Sequence, residues 1–174
     1  MACNITGGIS LDCIDGIGGI KTAYISTNAQ ITSTAGVTGT SGKLYDVGGT
    51  GTFYTFEIPK DTSSFSETAN IAPSAGTVFY TQELSLVFHK LAAAKRDQIL
   101  LLAKNRNMKV VFEDNNGQFW FMGLDRGVQV SAATAVTGVN PGDANQYTIT
   151  LQAMEPSPVY ELTGLEALAD FTIS

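Results

Sequence analysis

Nucleophilic catalysis by a serine or cysteine of this chain would depend on its single histidine, His89. A serine or cysteine nucleophile needs a neighbouring base, and histidine is the usual one. His89 stands beside Lys90, where a strand pattern passes into a helix pattern, and no Gly-x-Ser-x-Gly motif precedes a helix. We therefore expect His89 to be a partly buried or polar junction residue and not a catalytic base.

Two pairs of acidic residues could perform acid–base chemistry or hold a divalent cation: Glu113 with Asp114, and Asp12 with Asp15. Adjacent residues of a strand point to opposite faces, so Glu113 and Asp114 are poorly placed to converge. We interpret them as part of a solvated hairpin tip.

Two further patterns could indicate ligand binding. The Gly-rich run 15–20 has some likeness to a phosphate-binding loop, but no lysine follows at Walker spacing and no helix begins there, so we expect a turn. Phe119, Trp120 and Phe121 could stack on bases or sugars, but no basic residues are interleaved, which favours a core or an interface. We predict no catalytic residue, no cofactor, no metal and no small-molecule substrate.

Charge and composition limit the function further. Ten Lys and Arg against sixteen Asp and Glu give a net charge of −6, which argues against specific nucleic-acid binding. An acidic surface is still compatible with DNA passing nearby, because like charges repel. With 174 residues and 44% hydrophobic residues the chain can fill one core, and we expect a single domain over 1–174.

Targeting signals and disulfides are not expected. The first twenty residues lack a basic stretch followed by an apolar one, and no run is long enough to span a membrane, so we expect a soluble protein. Cys3 and Cys13 could pair across a short hairpin, but reduced thiols are the commoner state in the cytosol.

Short strands and loops are predicted for the first half. Extended pieces at 9–13 and 20–26 precede a long Gly, Ser and Thr loop at about 32–52. A strand at 53–58 leads into a second long loop at about 59–77, poor in large apolar residues and expected to be mobile in a free subunit. Alternating residues at 78–88 predict a long strand, and together these pieces form a hairpin arm.

The second half holds the helix and the clearest hairpin. An Ala-, Leu- and Lys-rich stretch at 91–105 predicts one α-helix packed on a sheet. Asn116-Gly117 between apolar runs at 108–113 and 118–124 predicts a tight hairpin, apolar on both faces. Alternation at 128–136 and 147–153 predicts antiparallel partners joined by a Gly/Pro loop, and 155–174 forms a C-terminal tail.

These elements predict a mainly β, or α+β, fold: an antiparallel β-sandwich or barrel with one flanking α-helix and a long β-hairpin arm. Basic residues on and after the helix are either a solvated face or a positive patch that meets an acidic patch on a neighbouring subunit. They are Lys95, Arg96, Lys104, Arg106 and Lys109.

The order of elements over roughly 53–156 resembles the tail-tube fold of tailed-phage tube and neck proteins and of the inner tube of type VI secretion. Strings of the sequence also resemble virion structural proteins of tailed phages: Met1-Ala2-Cys3, Gly18-Gly19-Ile20-Lys21, Leu100-Leu101-Leu102-Ala103-Lys104, the run 111–117, and Met154-Glu155-Pro156. The N-terminal third matches this pattern less well, because of the Gly/Ser/Thr loop.

The resemblance implies a virion protein, assembled in the host cytoplasm, whose hexameric rings stack into a tail tube that conducts DNA. Its partners would be further copies of itself and other tail or neck proteins, and the arm would order on the next ring. The residues that we expect to serve assembly are Phe65, Ile71, Phe119, Trp120, Phe121, Lys95 and Arg96.

Other functions remain open on the sequence. A neck or connector ring, or a capsid decoration protein, would also be β-rich, acidic and without catalytic residues. A small hydrolase or a carbohydrate-binding domain would need a pocket with convergent acids or aromatic side chains.

Overall fold

The computed structural model describes residues 7–9, 11, 13–36 and 42–174. Its described part is mainly β, with one α-helix beside two sheets, as the sequence predicts. The elements in chain order are β1 (Ile20–Ser26), β2 (Gln30–Gly36), β3 (Lys43–Thr50), β4 (Thr52–Glu57), β5 (Ser64–Ala72), β6 (Thr77–His89), α1 (Ala93–Lys104), β7 (Lys109–Asp114), β8 (Phe119–Met122), β9 (Gln129–Val136), β10 (Gln146–Glu155), β11 (Tyr160–Leu162), a 3-10 helix (Leu165–Leu168) and β12 (Thr172–Ile173).

The larger sheet has eight strands in the order β12-β4-β1-β7-β8-β11-β3-β2. Strands β1 to β4 form one long bent hairpin, with β1 and β2 on one side and β3 and β4 on the other. Ile25 pairs with Tyr54, and Gln30 pairs with Thr50, so the register of the β1–β4 pair continues almost unchanged into the β2–β3 pair. The bend falls at Gly51, whose φ of 139° few other residues adopt. Since β3 and β4 are joined by this one residue yet lie near opposite ends of the strand order, the sheet curls.

The smaller sheet has four antiparallel strands in the order β5-β6-β10-β9. Its longest strand, β6, pairs with β10 from His89 back to Tyr80. The three residues of β6 before Tyr80 pair with β5 alone, so the β5–β6 hairpin extends past the end of β10.

The main core lies between the two sheets. One face of the large sheet contributes Ala23, Ile25, Val110 and Phe112, and the small sheet contributes alternate residues of β6 and β10: Leu84, Leu86, Ile149, Leu151 and Ala153. Helix α1 adds Leu102, with Ile99 packed beside it three residues earlier, as expected for one face of a helix. The other face of α1 is exposed.

A second core covers the opposite face of the large sheet. Val111 and Phe121 pack there against Phe53, which lies edge-on to both Phe121 and Phe171. Leu168 of the 3-10 helix is also part of this cluster. The prediction that both faces of the β7–β8 hairpin are covered is therefore confirmed: the small sheet covers one face, and Phe53 with the C-terminal region covers the other.

Four sequence expectations need correction. Residues 32–52 do not form a long loop: the described part makes β2 and β3, while residues 37–41 lie outside the description. Residues 59–77 contain β5, paired with β6 over nine residues, so the arm is β5–β6 and not a hairpin that includes β4. Residues 155–174 are a packed part of the fold, since β11 and β12 both join the large sheet.

The fourth correction concerns the N-terminal strand at 9–13. Ile9, Leu11 and Cys13 are not in a strand, and Ser10 and Asp12 lie outside the described residues. Strand β1 starts at Ile20 and ends at Ser26, as predicted.

Candidate assembly surfaces

The outer end of the β5–β6 hairpin, residues 70–79, carries exposed apolar side chains, and we call it the arm tip. Ile71 and Val78 are directly paired across the hairpin and are 66% and 51% exposed. Side chains alternate along a strand, so Val78 lies on the same face of β6 as Leu84 and Leu86, which pack in the core. Its partner Ile71 lies on that face too. At the arm tip the core-facing side of the hairpin is therefore uncovered within the described part of the chain.

Phe65 lies at the other end of the same hairpin. It is half-buried, and its ring lies 4.7 Å from that of Phe112 between the two sheets. The structure thus separates the two arm residues named from the sequence: Phe65 belongs to the sandwich core, and Ile71 projects beyond it.

The aromatic run on β8 packs mainly inside the chain. Phe121 is 1% exposed, so its side chain offers no surface to another subunit. Phe119 and Trp120 are half-buried and pack against opposite cores. Trp120 Nε1 also donates a hydrogen bond to Asp114 at 3.3 Å.

Lys95 and Arg96 are exposed on the first half of α1. The Lys95 ammonium donates to the His89 carbonyl at 2.5 Å, and Arg96 pairs with Asp97 at 3.0 Å. Lys104 and Arg106 are also exposed, whereas Lys109 is buried and does not belong to this surface. The exposed basic patch is thus smaller than the sequence indicates.

A groove of about 790 Å³ runs between the outer edge of β4 and α1. Its apolar wall consists of Phe56, Ile58, Phe88 and Ile99, and the rings of Phe56 and Phe88 lie 5.9 Å apart. Polar groups of Glu57, His89, Lys95 and Gln98 line the rest, and Ser174 stands at one end. The single histidine is therefore part of a mostly apolar groove.

The C-terminal strand β12 covers the outer edge of β4 as far as Thr55. Ser174 donates to the Phe53 carbonyl and accepts from the Thr55 amide, so the odd-numbered residues of β4 point their backbone groups away from β1. By the same alternation the Glu57 amide points away from β1.

The acidic residues do not form a site. Glu113 pairs with Lys21 at 2.6 Å, and this contact raises the pKa of Lys21. Asp114 accepts backbone hydrogen bonds from Asn116 and Gln118 and so closes the β7–β8 turn. Asp12 lies outside the described residues, and no group of three or more potential metal ligands occurs in the described ones.

The β7–β8 turn also holds the segment before β1. Asn116 accepts from the Ile17 amide and donates to the Ile17 carbonyl, each at 2.8 Å. Asn115 donates to the Gly18 carbonyl at 2.7 Å. The sequence predicts only the turn itself, because nothing local to it signals a partner 97 to 99 positions away.

A buried polar cluster lies where the two sheets meet, and no pattern in the sequence indicates it. Lys109 of β7 and Glu155 of β10 are 5% and 3% exposed. Burial lowers the pKa of Lys109 and raises the pKa of Glu155. Nearby, Gln82 is 1% exposed, and its Oε1 has no hydrogen-bond partner among the described residues.

Cys13 is exposed, and Cys3 lies outside the described residues. No helix in the described ranges is both long and apolar enough to cross a membrane. Comparison of the chain with protein-family models, with curated proteins and with solved structures finds no match.

Proposed function

We propose that this chain is a non-enzymatic structural subunit that self-assembles into rings, and that the rings stack into the tail tube of a tailed-phage virion. Such a tube conducts DNA without binding it specifically. The observation that carries the proposal is the arm tip, where Ile71 and Val78 are exposed at the end of a paired hairpin.

The arm tip suits contact with a neighbouring subunit for a physical reason. The hairpin is held by a ladder from Ser64–Ser85 to Ala72–Thr77, so its apolar end is presented in a defined direction. Burying Ile71 and Val78 against another subunit removes apolar surface from water, which favours association. Contact between stacked rings is the role that fits an arm projecting from one end of a sandwich.

Sheet edges support ring closure. Strand β5 lies at one end of the small sheet and has only β6 as a neighbour among the described strands. A free edge of nine residues is a template for pairing with another chain. Head-to-tail contacts of this kind close into rings when the rotation per subunit allows it.

The net charge of −6 supports the conduit role. A protein wall without excess positive charge does not neutralise phosphates, so DNA is not held as it passes. The exposed cations of α1 then serve contacts between subunits.

Negative-stain electron microscopy of the purified protein tests the proposal, with Ile71→Asp as the informative variant. Ile71 is exposed in the single chain, so the variant should fold normally but lose stacking, leaving rings in place of tubes. Thr68→Asp, at an exposed position of the same hairpin outside the arm tip and on its opposite face, is the matched control and should still form tubes.

Other assemblies in the micrographs would support other functions. Single rings that never stack would indicate a neck or connector ring, and trimers that bind capsids would indicate a decoration protein. Monomers at all concentrations, or tubes unaffected by Ile71→Asp, would overturn the role given to the arm tip.

A further inference from the structure

The outer face of α1 carries exposed apolar side chains. Leu102 and Ile99 pack towards the core, whereas Leu100 and Leu101 are 48% and 58% exposed. Because an α-helix turns by about 100° per residue, Leu100 points almost directly away from Leu102. Leu102 is the one fully buried side chain of this 12-residue helix, and a short helix depends on packing for its stability. Among the described residues, nothing covers the face around Leu100.

Strand β6 separates this face from the arm tip. Val78, near the start of β6, belongs to the arm tip, and His89 ends the strand four residues before α1 begins. A strand covers about 36 Å between these two positions. Val136 of β9 is 46% exposed and lies at the same end as α1, since both it and His89 pair with Gln146. One chain therefore exposes apolar side chains at two opposite ends that do not reach each other.

We propose that the arm tip of one subunit docks on the outer face of α1 of a second copy, with Ile71 and Val78 against Leu100 and Leu101. This inference rests on the proposed function, because it names the surface that receives the arm in the next ring. Contact between two unlike patches leaves one patch of each kind free at the ends of a stack, so that further copies can add. Contact of each patch with its own kind would instead close a two-fold dimer and stop.

The receiving end of the chain is basic. Lys104 lies four residues after Leu100, hence on the same helix face, and forms no ion pair among the described residues. Asp97 lies three residues before Leu100 and is already paired with Arg96 at 3.0 Å. On α1 and the segments that border it, the cations Lys90, Lys95, Arg96, Lys104 and Arg106 outnumber the acids Glu57, Asp97 and Asp143.

The docking end is acidic. The hairpin and its approach, residues 61–88, contain Asp61, Glu67 and Glu83 and have no Lys or Arg. Glu67 accepts from the Val159 amide and Glu83 from the Gln152 amide group, so the bonding partners of both are neutral. Attraction between the acidic arm and the basic helix then orients the two copies as they meet, and it favours a second copy of this chain as the occupant.

Disulfide trapping tests the proposal. In a Cys3→Ser, Cys13→Ser background, Val78→Cys and Leu101→Cys place one thiol in each patch and leave Ile71 and Leu100 in place. Oxidation of the assembled protein should link the thiols between subunits and give a ladder of dimers and higher species on a non-reducing gel. Thr68→Cys with Leu101→Cys is the matched control and should give no ladder, because Thr68 lies on the opposite face of the hairpin.

The single-cysteine proteins determine which patches meet. Val78→Cys alone and Leu101→Cys alone should stay monomeric on the gel, whereas a mixture of the two, one of them lengthened by a tag, should give only the mixed dimer. A disulfide dimer of Val78→Cys alone would show arm-to-arm contact, and one of Leu101→Cys alone would show helix-to-helix contact. Either dimer would overturn the proposal, as would the absence of a ladder from the protein with both thiols.

A charge on the helix face separates this inference from the proposed function. Leu100 is exposed, so Leu100→Glu should fold, lose the ladder and leave rings in place of tubes. Gln98→Glu, exposed on the other side of α1, should keep both ladder and tubes.

Tubes that are lost in Ile71→Asp but persist in Leu100→Glu would show that the arm docks elsewhere, which overturns this inference and leaves the proposed function standing. A ladder that forms without any ring or tube overturns the proposed function and leaves the contact between arm and helix standing.

Discussion

Lys109 and Glu155 hold the same loop from two different sheets. The Lys109 ammonium donates to the carbonyls of Gly123 and Leu124 at 2.8 and 2.9 Å, and the Glu155 carboxylate accepts from the amides of Asp125 and Arg126. Because Lys109 is on β7 and Glu155 on β10, this loop ties the large sheet to the small one.

Lys109→Met should destabilise the fold clearly. The variant leaves the carbonyls of Gly123 and Leu124 without their donor and removes the cation near Glu155, with an expected cost of about 2 to 4 kcal/mol in the free energy of unfolding. Urea denaturation measures the loss, and Lys60→Met, at an exposed position, is the control that should change little. Equal stabilities of the two variants would contradict a structural role for Lys109.

Glu155→Gln should change how stability depends on pH. Burial raises the pKa of Glu155 above its ordinary value, although the amides of Arg126 and Asp125 oppose this. The folded chain therefore keeps this proton at a higher pH than the unfolded chain does. As pH rises from the ordinary glutamate pKa through the folded one, the group's contribution to the free energy of unfolding falls.

The test is the difference between parent and variant in urea unfolding across that pH window. Glutamine does not titrate but can still accept the amide hydrogen bonds, so the parent should lose stability relative to the variant as pH rises. A difference that is flat, or that has the opposite sign, would contradict the raised pKa.

Gln82→Met should be neutral or should stabilise the protein by about 1 kcal/mol. The change removes a buried oxygen without a partner and costs only the long bond, 3.5 Å, from Gln82 Nε2 to the Ser157 carbonyl. Gln152→Met is the matched control, since Gln152 donates to Glu83 at 2.8 Å and should lose a little stability. A clear loss in Gln82→Met, seen as a lower urea midpoint, would mean that Oε1 is satisfied in solution.

The arm should be ordered in a free subunit. Its strand β5 pairs with β6 over nine residues, with the amides of alternate residues bonded to β6, so hydrogen exchange of the non-stacking Ile71→Asp protein should show protection at Ser66, Thr68 and their partners on β6. The sequence-based expectation was a mobile arm that orders on the next ring. Unprotected β5 amides in the free subunit would restore that expectation.

The sequence by itself determined the elements whose signal is local. The Asn116-Gly117 turn, the helix ending near Lys104, and the β6, β9 and β10 strands follow from turn chemistry and periodicity within a few residues. The mainly β fold with one flanking helix follows from the number and order of these elements. Pairing of β9 with β10 was likewise predictable from their alternation.

Only the tertiary structure decided which surfaces are buried. Residues 32–52 look like a loop by composition, but β2 and β3 form because backbone hydrogen bonds pair them with each other and β3 with β11. Phe121 and Lys109 look available to a partner, yet the first is covered by the C-terminal region and the second by the loop 123–127. Burial depends on segments distant in sequence, and local sequence patterns do not predict contacts with them. For the same reason, the exposure of Ile71 at the arm tip became visible only when the end of β10 was known.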